Sequence, residues 1–180
     1  MYLLSNLNFS LAAGGLVLLV LMVGLYVDYF YYRSRYFNQW LRKFAWPIII
    51  VTTFGGVAVS LTYSEYFGFV PCSLCWLQRI ALYPQIILVA IAFRIKENVF
   101  FPLYTIALSL FGFGVATYQY IYQLIPTEAL HNGALPCLVD GSSDCATKVI
   151  DEFGFVTFPL LSAIVFAFLI VMYLNLRRSN

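Results

Sequence analysis

The residues of this chain best suited to chemistry are its four cysteines. Two of them stand in Pro71-Cys72-Ser73-Leu74-Cys75, a C-x-x-C pair that opens directly into a long apolar run, so both thiols fall in the first turn of a helix. Unpaired backbone N–H groups and the positive end of the helix dipole favour a thiolate there, and C-x-x-C pairs at helix starts have lowered thiol pKa values. A reactive pair is the better reading, because the small ring of a C-x-x-C disulfide removes little chain entropy and makes a poor staple. Cys72, Cys75 and Arg79 occupy i, i+3 and i+7, which aligns both sulfurs and a guanidinium on one face; Tyr83 continues the stripe. An arginine inside an apolar span is costly and marks either a function or a lipid contact. Beside these thiols it points to holding an electron acceptor next to Cys75. The competing reading is a side chain snorkelling to lipid phosphate.

The second pair, Cys137 and Cys145, brackets the turn-forming residues Asp140, Gly141, Ser142 and Ser143. A disulfide between them would close a short, exposed hairpin, the exchange-prone kind that can trade electrons with a soluble partner; a plain loop staple is the alternative. Zinc held by the cysteines and His131 is a weaker reading, since metal thiolates on an oxidising face compete poorly with disulfides. No metal ligands are therefore assigned, and His131 reads as a solvated loop residue. Further on, Ala146, Val149, Ile150 and Phe153 recur at helical spacing with Lys148, Asp151 and Glu152 opposite. That pattern predicts a short amphipathic helix on the membrane surface, tethering the hairpin.

The elements that must position these groups are set by composition. Of 180 residues, 62% are hydrophobic and 10% charged, with a mean hydropathy of +0.86, whereas soluble domains carry about a quarter charged residues. A soluble domain is excluded, and a net charge of +2 gives no reason to expect nucleic acid as a partner. Apolar runs at 9–26, 46–63, 76–93, 99–122 and 155–176 are each long enough to cross a bilayer as a helix. The first has no preceding Lys or Arg and no cleavage site after it, so it reads as a retained helix rather than a secretory signal. Eight of the ten Lys and Arg residues follow the first, third and fifth runs: Arg33, Arg35, Arg42, Lys43, Arg94, Lys96, Arg177 and Arg178. Positive loops stay cytoplasmic, which puts the N-terminus outside, the C-terminus inside, and all four cysteines on the oxidising side in the segments 64–75 and 123–154.

Gly14, Gly15, Gly55, Gly56, Gly112 and Gly114 read as sites of close helix packing. Trp46, Tyr63, Tyr66, Trp76 and Tyr122 fall at the ends of the runs and read as interfacial belts.

The stretch Pro71-Cys72-Ser73-Leu74-Cys75-Trp76-Leu77-Gln78-Arg79-Ile80 resembles the signature of the DsbB/BdbC disulfide bond formation proteins. Similarity also appears at Pro136-Cys137 and through Phe153-Gly154-Phe155-Val156-Thr157-Phe158-Pro159, so that the resemblance covers 44–176. It implies an all-α membrane protein with a four-transmembrane-helix bundle over 44–180; the first apolar run lies outside the resemblance and adds, over 1–43, an extra N-terminal transmembrane helix and a cytoplasmic loop. It further implies an enzyme of the bacterial cytoplasmic (inner) membrane that reoxidises a soluble DsbA-like thioredoxin-fold donor on the periplasmic side. The electrons pass to a quinone, ubiquinone or menaquinone. By this resemblance Cys137 takes the mixed disulfide with the donor and Cys145 is its disulfide partner. Cys72 exchanges with that pair, Cys75 passes electrons on, and Arg79 binds near a quinone carbonyl. The gap between Cys137 and Cys145 is shorter than in enteric members and closer to the BdbC-like branch, which makes the reach of Cys145 to Cys72 a structural question.

Two alternatives stand beside it. A vitamin K epoxide reductase-like quinone reductase shares the bundle and the cysteine relay, but places its C-x-x-C near the end of the bundle's last helix. A non-enzymatic membrane protein with structural disulfides would have unreactive cysteines.

Overall fold

A computed structural model of the chain describes residues 2–32, 35–95, 100–124, 145 and 148–178. Five long helices account for most of it: α1 (Tyr2–Val27), α2 (Arg35–Leu61), α3 (Ser73–Ile95), α4 (Phe101–Leu124) and α5 (Phe158–Arg178). Each contains a segment long and apolar enough to cross a membrane. Large apolar side chains such as Val20, Phe54, Ile87, Ile91 and Phe111 cover the outside, a surface that water would not tolerate and lipid would.

Contacts run from α2 to α3, α3 to α4, α4 to α5 and α5 back to α2, with α1 laid against α5. α5 is the central element, and its Phe166, Leu169, Met172 and Tyr173 are fully buried with Ile49 of α2 and Ala81 of α3. At Gly112 of α4 the Phe166 ring fills the space that a Cβ would need. Gly15 meets Leu161 in the same manner, as expected of small residues where helices pack without a hydrophobic drive from water. Gly14, Gly55 and Gly114 depart from that expectation, for a Cβ at any of them would meet nothing within 4 Å.

α1 and α2 each end in one widened helical turn, Asp28–Tyr32 and Thr62–Tyr66. After the second, Gly68 takes a φ of +73° and the chain turns towards Pro71 and α3.

The segment before α5 corrects two expectations. Instead of an amphipathic helix, the described residues from 148 on lead into a two-stranded hairpin, β1 (Asp151–Glu152) and β2 (Val156–Thr157), with Asp151 opposite Thr157 and Glu152 opposite Val156. The cause is local. Phe153 and Gly154 have φ of 56° and 76°, a left-handed pair that reverses the chain and cannot continue a right-handed helix. Ile150 and Val156 turn inward and are buried. The fifth helix accordingly starts at Phe158 rather than 155, with Pro159 in its first turn, where no backbone N–H is required.

The aromatic belts are corrected in part. Tyr66 and Trp76 are exposed, but Tyr63 and Tyr122 are buried. Tyr63 donates its hydroxyl to Asn8 of α1 and packs edge-on against Phe158, with centroids 5.2 Å apart. Trp46 is stacked on Phe101 at 5.5 Å and set edge-on to Phe93 at 5.6 Å. Helix packing outcompetes the interface for these rings because burial against protein also satisfies their shape.

Candidate functional site

Cys72 sits immediately before α3, and its carbonyl accepts the first intrahelical bond, from Trp76 N–H at 3.0 Å. It is therefore the N-cap residue, and Cys75 stands three residues into the helix. The two are joined as a disulfide, with their Cα atoms 5.0 Å apart. The Cys75 backbone N–H points at the Cys72 sulfur at 3.3 Å, so this sulfur occupies the place where a serine or aspartate oxygen usually caps a helix. A thiolate formed at that point meets an oriented N–H group and the positive end of the helix dipole. Cys72 is buried and Cys75 half-buried.

A side chain from α4 completes the surroundings of the disulfide. Gln119, itself buried, directs its amide Nε2 at both sulfurs, 3.3 Å from Cys72 Sγ and 3.5 Å from Cys75 Sγ. Its Oε1 accepts from Gln78 Nε2 at 2.7 Å. Gln78 thus fixes which way the Gln119 amide points, leaving the N–H side for sulfur. Sequence reasoning missed Gln119. The signal was present, an amide within an otherwise apolar span, but nothing in the spacing tied it to a cysteine 44 residues away.

Arg79 lies one turn beyond Cys75. Its Nε donates to Ser60 Oγ at 3.0 Å and its Nη2 to the Ser60 carbonyl at 3.0 Å. The Ser60 carbonyl lies where α2 runs on into its widened turn, Thr62–Tyr66. The guanidinium also stands over the Trp76 ring, 5.2 Å from its centroid, an orientation that a π face favours. It is held on two sides by protein.

Cys75, Gln78 and Arg79 share the wall of a half-open cavity of about 560 Å³ among α1, α2, α3 and α5. Most of the remaining lining is apolar, including Val51, Val59, Leu82, Phe158 and Phe166. Such a space, apolar with a few polar groups at one place, is of the size and kind that hold small ligands. Tyr83 does not line it; this side chain packs against the main core instead. Gln119 contributes to the wall as well.

On the other side of the disulfide, Cys145 is buried in one cluster with Cys72, Leu74 and Tyr122. Its sulfur is 3.9 Å from Ser73 Oγ, and its carbonyl accepts from Gln123 Nε2 at 3.2 Å. Cys145 is disulfide-bonded. Of the residues singled out by sequence, Cys72, Cys75, Arg79 and Cys145 are thus brought together, while Cys137 and His131 lie outside the described residues.

The class this defines is a multi-helix protein of membrane-spanning character with a C-x-x-C disulfide set between a cavity and a second disulfide-bonded cysteine. Residues 42–176 match the family described as disulfide bond formation protein DsbB, and the chain belongs to that family. It is 34% identical over 133 residues to a probable disulfide formation protein of Oceanobacillus iheyensis, covering 74% of this chain and 88% of the relative. It is 36% identical over 139 residues to the SPbeta prophage-derived disulfide bond formation protein B of Bacillus subtilis, covering 77% and 88%. Disulfide bond formation protein C of the same species is 29% identical over 141 residues, 76% and 91% of the two chains. No solved structure matches the chain. Membership assigns the protein a role in disulfide bond formation.

Proposed function

We propose that the protein is a thiol:quinone oxidoreductase that reoxidises a soluble thioredoxin-fold disulfide donor of the DsbA kind and passes two electrons to a membrane quinone. In this reading the four helices α2 to α5 form the oxidase bundle, α1 is an added span, the N-terminus is outside and the C-terminus cytoplasmic. The cysteines face the extracytoplasmic side of the bacterial inner membrane. The basic residues Lys43, Arg94 and Arg177, all at the helix ends away from Cys72, support that orientation.

The observation that carries the reading is the shared wall: one sulfur of the disulfide and an anchored guanidinium border the same apolar cavity. The lining fits a flat apolar molecule with carbonyl oxygens, since Gln78 and Arg79 bring N–H groups to a space lined mostly by hydrocarbon. A bound quinone supplies a two-electron, two-proton acceptor that returns the Cys72 and Cys75 thiols to a disulfide.

The other steps belong to the chain itself. A donor thiolate attacks Cys137 Sγ, its disulfide with Cys145 breaks, and Cys145 leaves as thiolate; the donor's second thiol then resolves the mixed disulfide. The loop is now the dithiol and the donor is oxidised. A loop thiolate next attacks Cys72 Sγ, the Cys72–Cys75 bond breaks, and Cys75 leaves as thiolate. Here Gln119 Nε2–H and the start of α3 stabilise the charge where it forms. The remaining loop thiol closes the loop disulfide again, leaving both C-x-x-C sulfurs reduced. Arg79, held by Ser60, keeps its charge beside the acceptor rather than out in the lipid headgroups.

The test is anaerobic quinone reduction by purified protein with a reduced thioredoxin-fold donor, comparing wild type with Cys75→Ser. The expected result is stoichiometric donor oxidation and quinone reduction that disappear in the variant. Folded wild-type protein inert towards ubiquinone and menaquinone analogues with several donors would overturn the proposal in favour of structural disulfides.

A further inference from the structure

The family segment begins at residue 42, so nothing in it accounts for α1. Yet α1 is part of the cavity. Ser10, Leu11, Gly14, Gly15 and Leu18 line it, spaced i, i+1, i+4, i+5 and i+8, which is one continuous helical face. The opposite wall is α2 with Val51, Gly55 and Val59, and Cys75 and Arg79 of α3 stand on the same cavity.

The helix is fixed there by specific contacts. Tyr63, at the end of α2, donates its hydroxyl to Asn8. Phe9 packs on Phe153 at the hairpin tip with centroids 5.8 Å apart. Gly15 presses its backbone onto Leu161 of α5. Further along, Leu18, Met22 and Leu25 join the main core. These contacts hold α1 against α5 while leaving space between α1 and α2, and that space is the cavity.

Gly14 is the informative position. It falls within the cavity-lining face between Leu11 and Leu18, and a Cβ there would meet nothing within 4 Å. Its lack of a side chain serves no helix contact, unlike Gly15 next to it. Gly14 is exposed, and what it leaves is open room on the α1 side of the cavity, matched across the gap by Gly55, whose Cβ would likewise meet nothing.

Resting on the reading of this cavity as the acceptor site, we propose that α1 is its fourth wall and that the clearance at Gly14 sets how well the quinone is held. Substitution at 14 then acts on the acceptor alone and leaves the thiol side of the protein untouched. The experiment measures apparent KM for a quinone analogue in Gly14→Leu and Gly14→Trp, with Val20→Trp as control; Val20 is 71% exposed and does not line the cavity. Single-turnover oxidation of reduced donor by each protein without quinone is recorded in parallel, which reports folding and the cysteine relay independently of the cavity.

The expected result is KM rising in the order wild type, Gly14→Leu, Gly14→Trp, by about tenfold or more at the bulkiest. The control and all single-turnover rates stay at wild type. Should Gly14→Trp fail the single-turnover measure, Gly14→Leu alone carries the comparison, and Gly14→Ala replaces it if that variant fails too. Wild-type KM in the variants that pass would overturn the role of α1 while leaving the oxidoreductase intact. A wild-type protein that oxidises donor once but never reduces quinone would instead overturn the acceptor reading, and the role of α1 with it.

Discussion

α3 carries two buried glutamines two helical turns apart, Gln78 and Gln85, and their neighbourhoods are opposites. Gln85 is sealed in the core: its Oε1 accepts from Tyr173 of α5 at 3.1 Å and Ser109 of α4 at 3.3 Å, and its Nε2 donates to the Ala81 carbonyl at 3.0 Å. Every polar atom of that amide has a protein partner. Gln78 works through Gln119, whose amide faces sulfur, a weak acceptor, beside a cavity. The first arrangement ties three helices together and has nothing left to give. The second leaves its donor poorly satisfied until a sulfur becomes charged. A hydrogen bond to an ionised group is worth about twice one between neutral groups, so the Gln119 contact is strongest when the disulfide opens. The same residue type on the same helix ties helices together in one place and orients an amide towards a disulfide in the other.

Substitutions at four positions would sharpen or break that contrast. Cys75→Ser removes the bond itself and should reduce donor-dependent quinone reduction to background, a loss of at least about 10³; retained turnover would dissolve the distinction altogether. Gln119→Leu is the next largest. Losing a charge-assisted hydrogen bond of about 1.5–3 kcal/mol should slow opening of the Cys72–Cys75 disulfide by about tenfold to a hundredfold, read by stopped-flow mixing with reduced donor, beside a drop of a few degrees in Tm from the lost Gln78–Gln119 bond. Arg79→Ala should raise apparent quinone KM by about tenfold with kcat nearly kept, and Arg79→Lys should recover only part, because a single ammonium cannot span the Ser60 hydroxyl and carbonyl as the guanidinium does.

Gln85→Leu should have the smallest effect and the opposite profile. Loss of interhelical hydrogen bonds worth about 0.6–1.7 kcal/mol each in membrane proteins should lower thermal stability in detergent by a few degrees and leave kcat and KM at wild type. A Gln85 variant with impaired turnover, or a Gln119 variant altered only in Tm, would invert the comparison.

Much of this was legible in the chain. The five long helices follow from apolar runs that have no other stable home. The disulfide pair stands out as a C-x-x-C preceding a span, and Arg79 stands out by its cost inside that span. These are local signals, carried by neighbours in sequence or by residues on one helical face. The errors arose where two local patterns competed. Residues from 148 to 153 have helical apolar spacing, but the left-handed Phe153-Gly154 reversal makes a hairpin, and the spacing reads the same until the turn is known. Tyr63 and Tyr122 sit at span ends as belt residues do, yet packing draws them inward.

By itself the sequence determined the number of apolar helices, the cysteine pair at the start of one of them, and the family, because periodicity, hydropathy and motif are properties of contiguous residues. Only the tertiary structure decided what surrounds that pair. Gln119 reaches it from α4, Ser60 fixes Arg79 from α2, Cys145 is buried beside Cys72, and α1 lines the cavity on which Cys75 stands. Each of these joins segments far apart in sequence, and inside a membrane apolar surface alone does not select one helix partner over another. The choice falls to shape and to a few polar side chains, whose meeting is visible only once the helices are packed.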